Sequence, residues 1–251
     1  MTELIHYKGE EIQEYKALIP GCPLASFLAN YNLRECDYYF DMKSDVIYGR
    51  YSDDILILDK TREEVDSDLE VVKYYLDSQG LTINPDKYQY FSPGEEIQFL
   101  GLKLRTDKKI DISDHSKYKI KKYIHNICRK GRVYIERDHE PFEKIARKII
   151  RKINNKNFFC MIDNDASFCW ATYSFPKITT IDSIRELDFY TMDTIRAMKT
   201  GRHNKANAKK MSYEEFNSLR YLSLVEMYRL YKTDYDYYVE TVEINKDIRA
   251  Y

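Results

Sequence analysis

Two adjacent acids, Asp53 and Asp54, stand in the run YGRYSDDILIL (48–58), between two apolar, tyrosine-rich flanks. Strand interiors rarely hold a bare acid pair, because an unpaired buried carboxylate is costly. A tight turn carries such a pair at little cost, and Asp is at home there. At a hairpin tip, two carboxylates offer the hard oxygen ligands that Mg²⁺ takes, with water and substrate phosphate completing its shell. In two-metal phosphoryl transfer one ion activates the attacking oxygen and the other steadies the leaving group. Ordinary surface turns also carry Asp-Asp, so the pair taken alone leaves both readings open.

The elements that must hold this pair can be read from period and punctuation. DVIYGRY and ILIL are β-type runs joined at a tight polar point, which predicts a hairpin. Before it, residues 20–40 open on a Pro-Gly turn signal and continue as a helix pattern, with Leu24, Phe27, Leu28 and Tyr31 at helical spacing. After it, Thr61 and Glu64 form a capping-box pattern, Val65, Leu69, Val72 and Leu76 give one apolar face, and Gly80 can close the helix. LTINPDKYQYF and EIQFLGLKLR then read as two strands separated by a Ser92–Pro93–Gly94 turn, and KIDIS as a short third strand. From about Asp114 the period becomes helical. In PFEKIARKIIRKI, Phe142, Ile145, Ala146, Ile149, Ile150 and Ile153 form one stripe, Lys144, Arg147, Lys148, Arg151 and Lys152 cover the other side, and Pro141 fits a first turn. An aromatic-rich stretch holding the only Trp, Trp170, precedes helices expected around 183–199 and 212–232, with the basic loop TGRHNKANAKK between them.

The chain has 251 residues, 43% apolar and 32% charged, enough for one large domain or a few small ones. No apolar stretch approaches the roughly 20 residues of a membrane helix, and the N-terminus has no signal-peptide pattern, so a cytoplasmic location is expected and a membrane partner is not. Five widely spaced cysteines (Cys22, Cys36, Cys128, Cys160, Cys169) without a C-x-x-C argue against a disulfide framework or structural zinc. Net charge is −1, but its distribution is uneven. Residues 1–59 carry 5 Lys/Arg and 11 Asp/Glu, whereas 117–156 carry 14 and 4. Acids that gather metal ions followed by bases that grip phosphates are one economical reading of that pattern, and a solvated helix face is the other.

Four motifs in order give the acid pair a context. YGRYSDDILI resembles the Tyr-x-Asp-Asp motif of bacterial reverse transcriptases. Upstream, GCPLASFLANYNL resembles that family's motif B, with Gly21, Pro23, Leu24, Leu28, Ala29 and Asn30 matching. Downstream, GLTINPDKYQYF is similar to motif D, and EIQFLGLKL to the Phe-Leu-Gly primer grip. The region from CWATYSFPKITTIDS to YEEFNSLRYLSLVEMYRLYK resembles a C-terminal region carried by one group of these enzymes. The likeness covers nearly the whole chain and is closest to group II intron and retron-type members.

The resemblance implies an α+β fold: a partial polymerase palm, an antiparallel sheet with helices, over 1–113, a basic helical thumb over 114–157 and a helical C-terminal region over 158–251. It implies RNA-directed DNA polymerase activity by two-metal nucleotidyl transfer, with two Mg²⁺ ions, an RNA template, a DNA or RNA primer and dNTPs. Asp53 and Asp54 would be the metal-binding catalytic carboxylates, Asp53 the more direct ligand. Lys87 matches the motif D lysine, a proton donor to departing pyrophosphate. Gly21, Pro23, Asn30 and Tyr51 would line the template and nucleotide pocket. Phe99, Leu100 and Gly101 would support the primer end, Gly101 by permitting close backbone approach. Lys144, Arg147, Lys148, Arg151 and Lys152 would track nucleic-acid phosphates.

The chain departs from the family pattern in two respects. Motif A, a strand carrying a third carboxylate, belongs before motif B. The first 20 residues hold Glu3, Glu10, Glu11 and Glu14 but no such strand, and Phe40–Asp41 falls on the wrong side of motif B. The fingers are missing as well. The departure fits a truncated reading frame, a degenerate remnant, or one half of a split enzyme whose second polypeptide supplies fingers and motif A. A non-catalytic RNA-binding protein, maturase-like or accessory, is the alternative of a different class.

Overall fold

The computed structural model describes residues 5–7, 10–12, 24–154, 174–202 and 211–237. Within them the protein is α+β, with short antiparallel sheets and helices. The chain divides into two compact units, Met1–Tyr90 and Phe91–Tyr251.

In the first unit, strands β1 (Ile5–Tyr7) and β2 (Glu10–Ile12) pair antiparallel, so the stretch in which no motif A strand is read carries a short hairpin. The expected helix over 20–40 is two helices, α1 (Ala25–Asn32) and α2 (Arg34–Asp41), broken at the buried Leu33. The apolar row at helical spacing, Leu24, Phe27, Leu28 and Tyr31, is exposed, and α1 buries no residue among those described. Its aromatics make local contacts instead: Phe27 stacks on Tyr31, and the Arg34 guanidinium lies 3.8 Å from the Tyr31 ring centre.

Strands β3 (Ile47–Tyr51) and β4 (Asp54–Leu58) form the expected hairpin. A two-stranded ribbon is marginal alone, so its stability comes from packing. Tyr48, Ile55 and Ile57 lie against Cys36, Phe40 and Val72 of the flanking helices. The Phe40 and Tyr48 rings stack with centroids 4.4 Å apart. Helix α3 (Arg62–Ser78) starts at the predicted capping box: the Glu64 N–H donates to the Thr61 hydroxyl at 3.2 Å, and the Thr61 N–H donates to the Glu64 carboxylate at 3.0 Å. Lys43 pins α2 to the rest by donating to Asp59 at 3.0 Å and to the buried Asp68 at 2.6 Å.

The strand expected over LTINPDKYQYF does not form; residues 81–91 are irregular. The Asn84 side chain accepts from the Asp86 N–H at 2.9 Å, and Pro85 has no N–H to offer a ladder, so local bonds compete with strand pairing. Tyr90 is held by the Arg62 guanidinium, 3.3 Å from its ring centre.

In the second unit, β5 (Ile97–Phe99), β6 (Leu102–Leu104) and β7 (Ile110–Ile112) form a meander in that order. The single run EIQFLGLKLR is thus two strands, because Leu100 (φ 49°) and Gly101 (φ 77°) make a type I′ reversal inside it. Helices α4 (Asp114–Arg137), α5 (Phe142–Ile153) and α6 (Asp182–Thr200) enclose the larger core, and Ile112 carries the sheet into it. The predicted stripe of α5 is the buried one: Ile145, Ala146, Ile149, Ile150 and Ile153 are inside, with Phe142 half-buried at the edge and Pro141 just before the helix as its cap. The helix expected over 212–232 is two, α7 (Tyr213–Ser218) and α8 (Leu224–Thr233). Between them Arg220 takes φ 61° and Tyr221 turns inward, where its hydroxyl donates to the buried Asp188 at 2.5 Å. The same Asp188 oxygen accepts the Leu224 N–H at 3.0 Å, which satisfies the start of α8. Cys36 and Cys128 are free, buried thiols; burial pushes Cys128 up to about 12. Cys22, Cys160, Cys169 and Trp170 lie outside the described residues. No helix among the described residues is long and apolar enough to cross a membrane.

Candidate functional site

Alternation along the β3–β4 hairpin sorts its residues into two faces. Tyr48 opposes Ile57 and Arg50 opposes Ile55, and this face looks toward the α2–α3 core. Tyr51 opposes Asp54 and Gly49 opposes Leu56 on the other face. A Cβ built at Gly49 would meet nothing within 4 Å among the described residues. Tyr51 is 66% exposed, and Asp53 and Asp54 are exposed at the tip.

The reversal is made by Ser52 and Asp53. Ser52 sits at φ 58° while Asp53 does not share the positive φ, the pattern of a type II′ turn, whose first position usually takes Gly. A serine in that region costs about 1 kcal/mol or more, so something must hold it. Arg50 does. Its Nη1 donates to the Ser52 carbonyl at 3.1 Å and to Asn30 Oδ1 on α1 at 3.0 Å. Its Nε donates to Asp37 Oδ1 on α2 at 2.8 Å, and Nη2 donates to Asp37 Oδ2. Asp37 also accepts from the Tyr48 hydroxyl at 2.8 Å.

Arg50 beside Asp37 holds that carboxyl below the usual carboxylate range, whereas burial and then the hydrogen bond to Asp37 raise the Tyr48 phenol. The folded value of Asp37 therefore lies below its unfolded value near 3.9. The stabilisation is complete above about pH 5 and is lost as pH falls through the folded value. Acid titration of urea stability is expected to show a steeper loss for the wild type than for Asp37→Asn; equal slopes would mean that the pair adds nothing to stability.

Among the described residues, neither Asp53 nor Asp54 has a hydrogen-bond or ion-pair partner, and no group of three His, Cys, Asp or Glu side chains is placed to hold a metal. Two exposed, uncommitted carboxylates fit what one Mg²⁺ usually takes from protein, one or two oxygens with water and phosphate.

Of the other residues singled out in the sequence, Asn30 is brought to the hairpin, through Arg50. Gly21 and Pro23 lie outside the described residues. Lys87 is exposed in the 81–91 loop, where its N–H donates to the Asn84 carbonyl at 3.1 Å. Phe99, Leu100 and Gly101 form the β5–β6 turn against the start of α4. The Gly101 carbonyl accepts from the Ser113 N–H at 3.0 Å and from the Ser116 hydroxyl at 3.2 Å. A Cβ at Gly101 would stand 3.1 Å from that hydroxyl, so the approach favours glycine.

Two groups stand out among the cations of 117–156. Lys117 and Lys121 both pair with Glu186 of α6, Arg132 donates to the Gly201 carbonyl at 2.7 Å, and Lys144 pairs with Glu140. These tie the unit together. Arg147, Lys148, Arg151 and Lys152 are exposed on the outer side of α5 without a partner among the described residues. Arg50 lies inside the YGRYSDD run but has no role there that the sequence reveals, and nothing in the sequence singles out Asp37.

The fold and this hairpin define an α+β protein that presents an uncommitted carboxylate pair at a strained turn. Residues 2–104 are similar to the reverse transcriptase (RNA-dependent DNA polymerase) family, whose model they match. The match supports a reverse-transcriptase-type nucleotidyltransferase module over that segment, from a family that works with nucleic-acid templates and primers and generally with divalent metal ions. No curated protein matches the chain.

Proposed function

We propose that the chain is an RNA-directed DNA polymerase module of the group II intron and retron type: palm remainder over 1–113, thumb over 114–157 and C-terminal region over 158–251. The observation that carries this reading is the Asp53–Asp54 pair, exposed and uncommitted at the hairpin tip within the segment that matches the family. When bound, Mg²⁺ supplies Lewis-acid activation of the primer hydroxyl and charge neutralisation at the phosphates. Asp53 and Asp54 hold it, Tyr51 and Asn30 border the nucleotide, Lys87 protonates the leaving pyrophosphate, and Phe99–Gly101 steady the primer. The third carboxylate comes from a second polypeptide that supplies fingers and motif A. The test is primer extension on an RNA template with Mg²⁺ and dNTPs, in the presence of a polypeptide supplying fingers and motif A. Equal activity of Asp53→Ala, Asp54→Ala and wild type overturns the site.

A second reading, a non-catalytic RNA-binding protein, is favoured by the uncommitted cations of α5. Replacing Arg147, Lys148, Arg151 and Lys152 by glutamine is expected to lower RNA affinity and to flatten its logarithmic salt dependence by about 0.7–0.9 for each phosphate no longer neutralised. An unchanged slope would remove α5 from the interface under either reading. Binding kept in Asp53→Ala together with no extension by the wild type favours the second.

A further inference from the structure

We propose that Arg50 is a positioning residue, a latch that fixes the Asp53–Asp54 turn to helices α1 and α2. The inference rests on the reading of that turn as a metal-binding site. The guanidinium is nearly buried, with its side chain 8% exposed, and it makes four hydrogen bonds. Two go to the Asp37 carboxylate as a fork, the arrangement for which guanidinium is shaped and ammonium is not. One goes to Asn30 and one to the Ser52 carbonyl inside the turn. Asp37 is itself anchored by the Tyr48 hydroxyl, and Tyr48 stacks on the buried Phe40. A continuous line of contacts therefore runs from the core of the first unit through Asp37 and Arg50 to the backbone that carries the acid pair.

The latch answers a specific need. Asp53 and Asp54 have no side-chain support of their own among the described residues, so their direction is set by the backbone of the turn. That backbone passes through Ser52 at φ 58°, a conformation that serine does not favour. Without a hold on the Ser52 carbonyl the tip relaxes toward other turn geometries, and ligand oxygens on a loose tip lose preorganisation. Arg50 acts on the ligands through the turn and touches no reacting atom.

The test uses the full chain, nitrogen-labelled, as wild type, Arg50→Lys and Asn30→Ala. Three quantities are read: the amide resonances of Ser52, Asp53 and Asp54, their broadening by Mn²⁺ used as the probe ion, and the unfolding midpoint. Arg50→Lys keeps the charge but cannot hold the fork and both oxygens together. It is expected to move the turn resonances and to weaken Mn²⁺ affinity at the tip about tenfold, as loss of a supporting shell does. Asn30→Ala removes one exposed bond, so it keeps the fold and gives a smaller loss of the same kind. A role in stability alone would lower the midpoint and leave affinity at the folded tip unchanged, which overturns the proposal. Turn resonances that stay in place in both variants also overturn it. If Mn²⁺ leaves the wild-type tip unbroadened, the metal reading fails, and the resonance positions alone decide the latch: moved in the variants they support it, unmoved they end it. Should Arg50→Lys not fold, Asn30→Ala carries the comparison.

Discussion

Asp53→Ala is expected to slow primer extension by about a thousandfold or more, roughly 4 kcal/mol of barrier. A carboxylate that holds the catalytic ion acts on every charge that develops during phosphoryl transfer, and water is a poor replacement because it does not fix the ion in place. Asp53→Asn keeps the shape and loses the charge, so it is expected to fall as far as Asp53→Ala. Asp54, read as the less direct ligand, is expected to cost less. Neither change should disturb folding, because both side chains are exposed and without partners among the described residues. Their stabilities should stay within about 0.5 kcal/mol of wild type, as for other surface positions. The measurement is single-turnover extension alongside thermal unfolding. Loss of both activity and stability would indicate damage to the hairpin rather than to its chemistry.

The second large effect concerns the core of the other unit. Gly131 is buried in α4, facing residues of α5 and α6. A Cβ there would stand 2.7 Å from Ile149 Cδ1, 2.8 Å from Met198 Sδ and 3.0 Å from Ile145 Cγ2. Gly131→Leu is expected to destabilise the unit by about 3 kcal/mol, because a packed interior takes added volume only by forcing side chains off their rotamers. Gly131→Ala should cost much less. Its single methyl asks for small shifts of Ile149, Met198 and Ile145 rather than for a new side-chain volume, and alanine regains about 1 kcal/mol of helix propensity over glycine. Chemical denaturation read by a probe in the second unit separates the two variants. If leucine cost no more than alanine, the close three-helix contact would be wrong. The exposed cations of α5 keep their arrangement only while Ile145 and Ile149 hold the helix against α4, so the proposed nucleic-acid contact depends on this packing at one remove.

Part of this protein is legible in its sequence. The hairpin around Asp53–Asp54, the capping box at Thr61 and Glu64 and the buried stripe of α5 are written in spacings of two to four residues. Capping bonds, alternation and helical period act over that range, so their signals survive in sequence. Other expectations fail where a contact overrides the local pattern. Residues 81–91 have strand-like composition, but the Asn84 side chain and Pro85 take the backbone elsewhere. The helix expected over 212–232 breaks because Tyr221 is drawn inward to Asp188, 33 residues earlier in the chain.

The chemistry divides along the same line. By itself the sequence determined which side chains could ligate a hard cation, that they stand at a turn, and which family's motifs the surrounding runs resemble. Only tertiary structure decided that Tyr51, Asp53 and Asp54 are exposed, that Arg50 reaches back to Asn30 and Asp37, and that Lys117 and Lys121 serve Glu186 while Arg147, Lys148, Arg151 and Lys152 have no partner among the described residues. A residue's type sets what it can bind. Which partner it meets depends on chain segments 13 to 69 residues away, and folding alone brings those together.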